Sequence, residues 1–357
     1  LGGWFLLIGY EFAGSIERRL RLPASPFRLP DFLAVRCSGA IIHDRERGVT
    51  TLFSESDNNH INYFNNIIQL NELYGFNLET KCLDTILEDP AEAFLSGVER
   101  IRDYLAAGDV FQVNLSRGWH GVLKQGIGYT EVYQQLRRHN PAPFAGLANV
   151  DGVGVLSSSP ERLVQISQGR VQTRPIAGTR PRGEGDADRT LAEQLIGSLK
   201  ERAEHVMLID LERNDLGRVC ESGSIEVSEL MSLESYAHVH HIVSNVRGRL
   251  RKTVGPGEVL RAVFPGGTIT GCPKVRAMEI ISELEGVGRG PYTGSMGYLS
   301  RCGRMDTNIL IRSLVVQDGQ VSFRAGAGIV ADSQPAAELA ETRAKARGLL
   351  LALGASV

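Results

Sequence analysis

The sequence has no CxxC spacing, and its five cysteines, Cys37, Cys82, Cys220, Cys272 and Cys302, are odd in number. That pattern suggests neither a disulfide framework nor a zinc site, and a reducing cytoplasm fits it best. Long hydrophobic runs are missing too. The longest, WFLLI near the start and LLLAL near the end, fall far short of the roughly 20 residues of a membrane span. Neither sign of charge is in excess: Lys plus Arg (39) nearly balances Asp plus Glu (41), and basic clusters such as Arg18-Arg19-Leu20-Arg21 are short and scattered. A nucleic-acid-binding surface is therefore not expected. No repeat or low-complexity tract occurs. No Met opens the chain, so an N-terminal portion is expected to be missing.

What is present is an ordinary globular composition, 357 residues with 42% hydrophobic and 22% charged content, enough for a large core. Strand-like pieces lie between Ala34 and Ser54, and a polar stretch follows at 54–66. Asp89-Pro90 reads as a helix N-cap with proline at the first helical position. The helix after it places Phe94, Val98, Ile101 and Leu105 on one face and stops at Gly108. Further helices are expected at about 129–139, 189–208, 257–263, 273–284 and 336–352. Strands are expected near 111–116, 152–157, 162–167, 170–174, 224–228, 239–250, 295–300, 306–316 and 320–324. Strands grouped with helices, without strict βαβ alternation, indicate an α+β fold. The reading divides it into an N-terminal region at 1–88 and a catalytic domain at 89–357.

Three patterns invite chemistry. In FPGGTITGCPK, Gly266 and Gly271 have the spacing of a nucleotide phosphate loop, but Cys272-Pro273 stands where that loop needs Lys-Ser/Thr. What remains is a Gly-rich turn opening a helix, with an anion site or a plain turn both open at this point. Glu201 and Glu204 share one helix face at i, i+3, as do Glu338 and Glu341. Such carboxylates suit magnesium, which takes one or two of them plus an anionic substrate, yet spacing alone favours a solvated charged face. In AHVHHIVS, alternation puts His238 and His240 on one strand face and His241 on the other. Proton transfer by one of them and a hydrogen-bonded structural role both remain open.

Taken together, SSPERL, RPIAGTRPRG, ERAEHVMLIDLERNDLGRV, HVHHIVSNVRG, FPGGTITGCPKVRAMEII, GPYTGSMGYL, NILIRS and AGAGIVADS followed by ELAETRAKA resemble, in order, the chorismate-utilising enzymes. The resemblance covers roughly 95–352. It implies an anthranilate synthase component I-like fold, two β-sheets with flanking helices enclosing a central cleft. By the same resemblance, Glu204 and Glu341 are expected to bind Mg2+ directly, and Glu201 and Glu338 through water. Arg312 and Tyr292 match residues holding a substrate carboxylate, with Gly326, Ala327 and Gly328 allowing close backbone approach. Thr268 matches a substrate contact, and Lys345 a lysine near the metal-bound carboxylate. His241 matches the catalytic histidine, and Glu161 an acid that assists hydroxyl departure.

Within that family the sequence points to a chorismate-aminating component whose ammonia comes from a separate glutamine amidotransferase, because nothing here resembles a glutaminase. Ala177 in PIAGT stands where aminodeoxychorismate synthases commonly carry a nucleophilic lysine, which favours anthranilate. Against it, FQVNLS, FPGGTITGCPK and GYEFAG resemble the aminodeoxychorismate branch, which is the reading adopted. Anthranilate synthase component I comes second and isochorismate synthase third. NPAPF at 140–144 resembles one side of a tryptophan pocket found in some relatives.

Overall fold

The computed structural model describes residues 2–55, 62, 81–183, 185–235 and 239–355, so most of the polar stretch 54–66, and His238, lie outside the described residues. Two large sheets dominate, with every strand pairing antiparallel. The nine-stranded sheet runs Ile176–Pro181, Val239–Arg249, Arg170–Arg174, Arg162–Ser167, Met305–Asn308, Ser295–Ser300, Gly3–Ile8 and Phe32–Cys37, with Glu226–Ser235 added beside Val239–Arg249. The seven-stranded sheet runs Gly271–Cys272, Gln112–Leu123, Gln320–Ile329, Ser313–Gln317, Val153–Ser159 and Phe144–Val150, with Leu83–Glu88 beside Gln112–Leu123. Strands from region 1–88 are thus hydrogen-bonded into both sheets.

Local chemistry explains the hairpins. Asp151-Gly152 and Asp318-Gly319 each hold both turn residues at positive φ, the geometry whose twist matches antiparallel strands joined by two residues. Helices cover the sheets by their apolar faces. Phe94, Val98 and Ile101 of the helix Ala91–Ala106 pack with Ile280 and Ile281 of the helix Lys274–Glu285. On the second sheet, Trp119 and Phe323 stack at 5.2 Å, close to Leu136, Leu349 and Leu353 of the helices Tyr129–His139 and Pro335–Leu353. Leu7 and Met296 of one sheet meet Ala148 and Val155 of the other in a single buried cluster. Burying Leu7, Met296 and Val155 stabilises the join by about 1.5–3 kcal/mol each.

Several expected elements differ in detail. The helix expected at 189–208 is two helices, Asp186–Gly197 and Leu199–Gly217. The chain turns at Ser198 (φ −67°, ψ 113°), whose hydroxyl accepts the Glu201 N–H at 3.3 Å, and that cap restarts the helix. Asp89 does not cap its helix. Its carboxylate instead accepts the Gly118 N–H at 2.6 Å, and Pro90 precedes the first helical residue. The strand expected at 306–316 is broken into Met305–Asn308 and Ser313–Gln317, which belong to different sheets. The strand expected at 320–324 continues to Ile329 through the small residues Ala325 to Gly328. No helix among the described residues is long and apolar enough to cross a membrane.

Candidate functional site

Two stretches of chain pass from one sheet to the other side by side. One leaves Val153–Ser159 and enters Arg162–Ser167 through Pro160-Glu161, and the other leaves Met305–Asn308 and enters Ser313–Gln317 through 309–312. They are tied together: Ile309 N–H donates to the Glu161 carbonyl at 3.0 Å, Ser158 N–H donates to the Arg312 carbonyl at 3.1 Å, and Ser159 Oγ donates to the Ile309 carbonyl at 2.6 Å. Arg312 takes φ +52° to make its crossing. The fold therefore fixes an acid and a guanidinium at adjacent points between the sheets.

Glu161 is 3% exposed, and burial pushes its carboxyl up to about 7. The Thr268 hydroxyl donates to Glu161 Oε1 at 2.7 Å and Ile176 N–H donates at 3.4 Å, while the Lys345 charge acts on the group from further away. These offset burial only in part. Thr268 sits in the one-turn helix Gly267–Ile269, formed by the Gly-rich loop. That loop has no phosphate-binding lysine chemistry to offer, since Lys274 Nζ is engaged by Asp215 Oδ2 at 2.5 Å and the Val263 carbonyl at 3.2 Å.

His241 faces the same region from Val239–Arg249. Its Nδ1 donates to the Gly178 carbonyl at 3.3 Å, and burial, with the Arg312 and Lys345 charges, pulls the ring down to about 4. The imidazole is thus neutral near pH 7, with Nε2 the basic nitrogen. His240, on the opposite face, bonds Ser235 at 2.7 Å and Asp188 at 2.9 Å, a structural link. Ala177 is half-buried and pairs with Ile242, one residue along from His241. Glu201 Oε1 accepts from Arg180 at 3.0 Å, and Gly178 lies so close that a Cβ there would come within 2.9 Å of Glu201 Oε2.

The second sheet supplies the other wall. Lys345 donates to the Gly326 carbonyl at 2.9 Å and pairs with Glu341 at 2.7 Å. A Cβ at Gly326 would lie 2.9 Å from the Tyr292 hydroxyl and 2.7 Å from Asn114 Oδ1, and one at Gly328 would meet Gln112 Nε2 at 2.3 Å. Ala327, between them, points the other way into the apolar cluster around Phe94. Burial pushes the Tyr292 hydroxyl up to about 12 and lowers Arg312 from its usual value, with Tyr292 and Glu341 within electrostatic reach of the guanidinium.

The four glutamates divide between two helices: Glu201 and Glu204 on Leu199–Gly217, Glu338 and Glu341 on Pro335–Leu353. Glu338 is 7% exposed, and Glu204 is half-buried. Among the described residues, no three His, Cys, Asp or Glu side chains stand close enough to hold a metal on their own. The donor chemistry still fits magnesium, which accepts one or two hard carboxylates and takes its other oxygens from water and substrate.

Sequence reasoning missed two buried clusters. Arg289, 1% exposed, pairs with Glu285 at 2.6 Å and donates to the Ile269 carbonyl at 3.1 Å and the Asn114 carbonyl at 2.8 Å, so it ties the Thr268 turn to the strand Gln112–Leu123. Its guanidinium also lies over the Tyr10 and Tyr292 rings at 4.9 and 5.5 Å. The i, i+4 Glu-Arg spacing was visible but identical to that of any surface pair. The second cluster is Glu212, Asp215 and Lys274.

Fold and site together define an α+β enzyme that brings a buried acid, a neutral histidine and two cations to the seam between sheets. The profile described as chorismate binding enzyme matches residues 2–351, and the chain belongs to that family of chorismate-utilising enzymes. It is 42% identical over 355 residues to the anthranilate synthase component I-like protein of Synechocystis, covering 99% of this chain and 73% of that protein. It is 48% identical over 263 residues to aminodeoxychorismate synthase component 1 of Bacillus subtilis, covering 73% of this chain and 56% of that one. Identity to anthranilate synthase component 1 of Aquifex aeolicus is also 48% over 263 residues, covering 73% and 53%. Among solved structures, anthranilate synthase component I from Streptococcus pneumoniae superposes with a TM-score of 0.87 at 31% identity, covering 98% of this chain and 80% of that one.

Proposed function

We propose that this chain is the chorismate-aminating component of an aminodeoxychorismate synthase, receiving ammonia from a separate glutamine amidotransferase and acting in the cytoplasm on the route to 4-aminobenzoate. The observation that carries the reading is Glu161, a buried carboxyl held near neutrality and fixed by Thr268 beside Arg312, His241 and Lys345. A dianionic substrate losing a ring hydroxyl needs such a set: cations for its carboxylates and an acid that is still protonated at neutral pH.

In this proposal Arg312 and Tyr292 hold one carboxylate of chorismate, and the backbone at Gly326, Ala327 and Gly328 lies close against it. Lys345 lies near the other carboxylate, which Glu204 and Glu341, with Glu201 and Glu338 behind them, would share with magnesium. Bound there, the cation would neutralise the charge of substrate and glutamates together. Glu161 delivers its proton to the departing hydroxyl. Thr268 keeps that carboxyl in one orientation, and His241 stands as a neutral base at the ring.

A second reading, anthranilate synthase component I, is favoured by one residue. Ala177 supplies no amine to add at ring C2, so ammonia could attack that carbon directly, and relatives of both names match at the same 48% identity. The deciding experiment incubates the chain with chorismate, magnesium and ammonium, with and without aminodeoxychorismate lyase. 4-Aminobenzoate that depends on the lyase supports the proposal. Fluorescent anthranilate without lyase selects the second reading, and isochorismate formed equally well without ammonium selects a water-using enzyme.

A further inference from the structure

Every N–H of the buried Arg289 guanidinium has an acceptor. Nε and Nη2 fork onto Glu285 Oε2 and Oε1 at 3.0 and 2.6 Å. Nη2 also donates to the Asn114 carbonyl at 2.8 Å, while Nη1 donates to the Ile269 carbonyl at 3.1 Å and to Thr293 Oγ1 at 3.3 Å. That uses all five donors of the side chain. Glu285 has other donors for its charge. Arg324 Nη2 reaches Oε2 at 3.2 Å, and the Ser116 N–H and hydroxyl reach Oε1 at 2.8 and 2.7 Å. What Arg289 adds to this ion cluster is therefore its three outward bonds, to Ile269, Thr293 and Asn114.

Two of those bonds end beside groups that face the substrate in the proposed reaction. Ile269 shares the one-turn helix Gly267–Ile269 with Thr268, whose hydroxyl is aimed at Glu161. The strand Gln112–Leu123 holds the same turn from its other end, where Asn114 N–H donates to the Thr270 carbonyl at 2.8 Å. Thr293 follows Tyr292, whose ring centroid lies 5.5 Å from the guanidinium and whose N–H donates to the Arg289 carbonyl at 3.1 Å. Glu11 Oε1 fixes the start of that segment by accepting the Arg289 and Gly290 N–H groups at 2.7 and 3.0 Å. One planar side chain thus touches both the turn that carries Thr268 and the ring of Tyr292.

We propose that Arg289 is a positioning residue for the chorismate reaction: its guanidinium holds the turn that aims Thr268 at Glu161 and backs the ring of Tyr292, so that proton donor and carboxylate holder keep one register. The proposal rests on the reading of Glu161 as the acid and Tyr292 as a carboxylate contact. Lysine in this place would keep the charge but lose the fork and the flat face against the ring. It separates geometry from charge.

The test compares wild type with Arg289→Lys, using Thr268→Val, Glu161→Gln and Tyr10→Leu as references. Infrared spectroscopy at pH 5, below the Glu161 value of about 7, reads the carboxylic C=O band that disappears in Glu161→Gln. Thr268→Val marks where that band falls when the hydroxyl donor is gone. Tyr10→Leu removes the other ring against the guanidinium, at 4.9 Å, but none of its five bonds, and controls for lost core packing. The expected result is that Arg289→Lys moves the band towards the Thr268→Val position and Tyr10→Leu does not. In chorismate consumption, Arg289→Lys should lower kcat about tenfold and raise KM about tenfold, because it displaces both the acid's partner and the carboxylate holder. Glu285→Gln, which keeps the side-chain shape and gives up the charge that grips the fork, should show the same two shifts in smaller measure and repeats the test if the lysine variant does not fold. A band at the wild-type position, or a KM equal to that of wild type, in the folded variant would overturn the proposal. If wild type consumed no chorismate, the proposed function would fail, and the band alone would decide whether Arg289 holds the Thr268 turn.

Discussion

Thr268 donates its hydroxyl to Glu161 Oε1 across 2.7 Å, joining a loop between two helices to a crossing between two sheets. The bond fixes which carboxyl oxygen keeps the proton. Burial, not this bond, sets the proton affinity, since the hydrogen bond lowers it and the group still stands at about 7.

Glu161→Gln should therefore abolish most turnover while keeping the fold. The glutamine carbonyl can still accept from Thr268 but has no acidic proton, and a loss of about 100-fold or more is expected. Stability gives an independent check. A folded carboxyl raised from 4.5 to about 7 favours the folded state fully below the unfolded value, and that contribution is lost as pH rises to 7. The variant should gain on wild type between pH 5 and 8, by up to about 3 kcal/mol in urea unfolding. A variant that tracked wild type across this range would contradict the assignment of the buried proton to Glu161.

Glu204→Ala or Glu341→Ala should nearly abolish chorismate turnover even at saturating magnesium, because each removes a charged donor that the remaining carboxylates cannot replace. Solvated face residues would instead change stability by about 0.5 kcal/mol and leave kinetics alone. Magnesium titrations of each variant separate the outcomes.

His241→Ala is expected to lower kcat by about 100-fold in protein that is still folded, with melting temperature measured beside kcat to separate a chemical role from a folding one. His240→Ala should behave in the opposite way: it cuts links to Ser235 and Asp188 and should cost stability with little direct effect on the chemical step. Equal kinetic effects from both would mean that neither histidine acts in proton transfer.

Ala177→Lys places an amine on the strand beside His241 in a half-buried position, where desolvation lowers an ammonium's proton affinity and leaves more of it nucleophilic. Incubation with chorismate and magnesium should then trap a covalent adduct, the C2–N bond forming as the C4 hydroxyl leaves as water, seen as a mass increase of the intact protein by chorismate less water. No adduct at alkaline pH would place residue 177 out of reach of ring C2.

The periodic segments were legible in the sequence wherever local pattern and tertiary context agreed. The helices at 129–139 and 256–263 and the hairpin strands 162–167 and 170–174 fall where apolar spacing and glycine turns put them. The misses share a cause, since each depends on a partner distant along the chain. Asp89 prefers the Gly118 amide to its own helix, and the break at 309–312 exists because the chain changes sheets beside Glu161. The candidate site residues were legible only as an ordered set of motifs. Glu161, Thr268 and His241 lie 107 residues or fewer apart in sequence but on three different elements, and no spacing rule links them. Glu212 and Arg289 escaped notice because a charged residue on a helix reads as exposed until the opposing wall is known.

The paired crossings also bear on how the cleft can open. Glu161 and Arg312 lie on neighbouring connectors that lock the sheets together through Ile309, Ser158 and Ser159. Any rotation of one sheet against the other would strain all of those bonds at once and would pull acid and guanidinium out of register together. The seam therefore behaves as a fixed spine. The helices Asp186–Gly197 and Leu199–Gly217 meet at the capped turn of Ser198, outside the set of bonds that holds Glu161 beside Arg312.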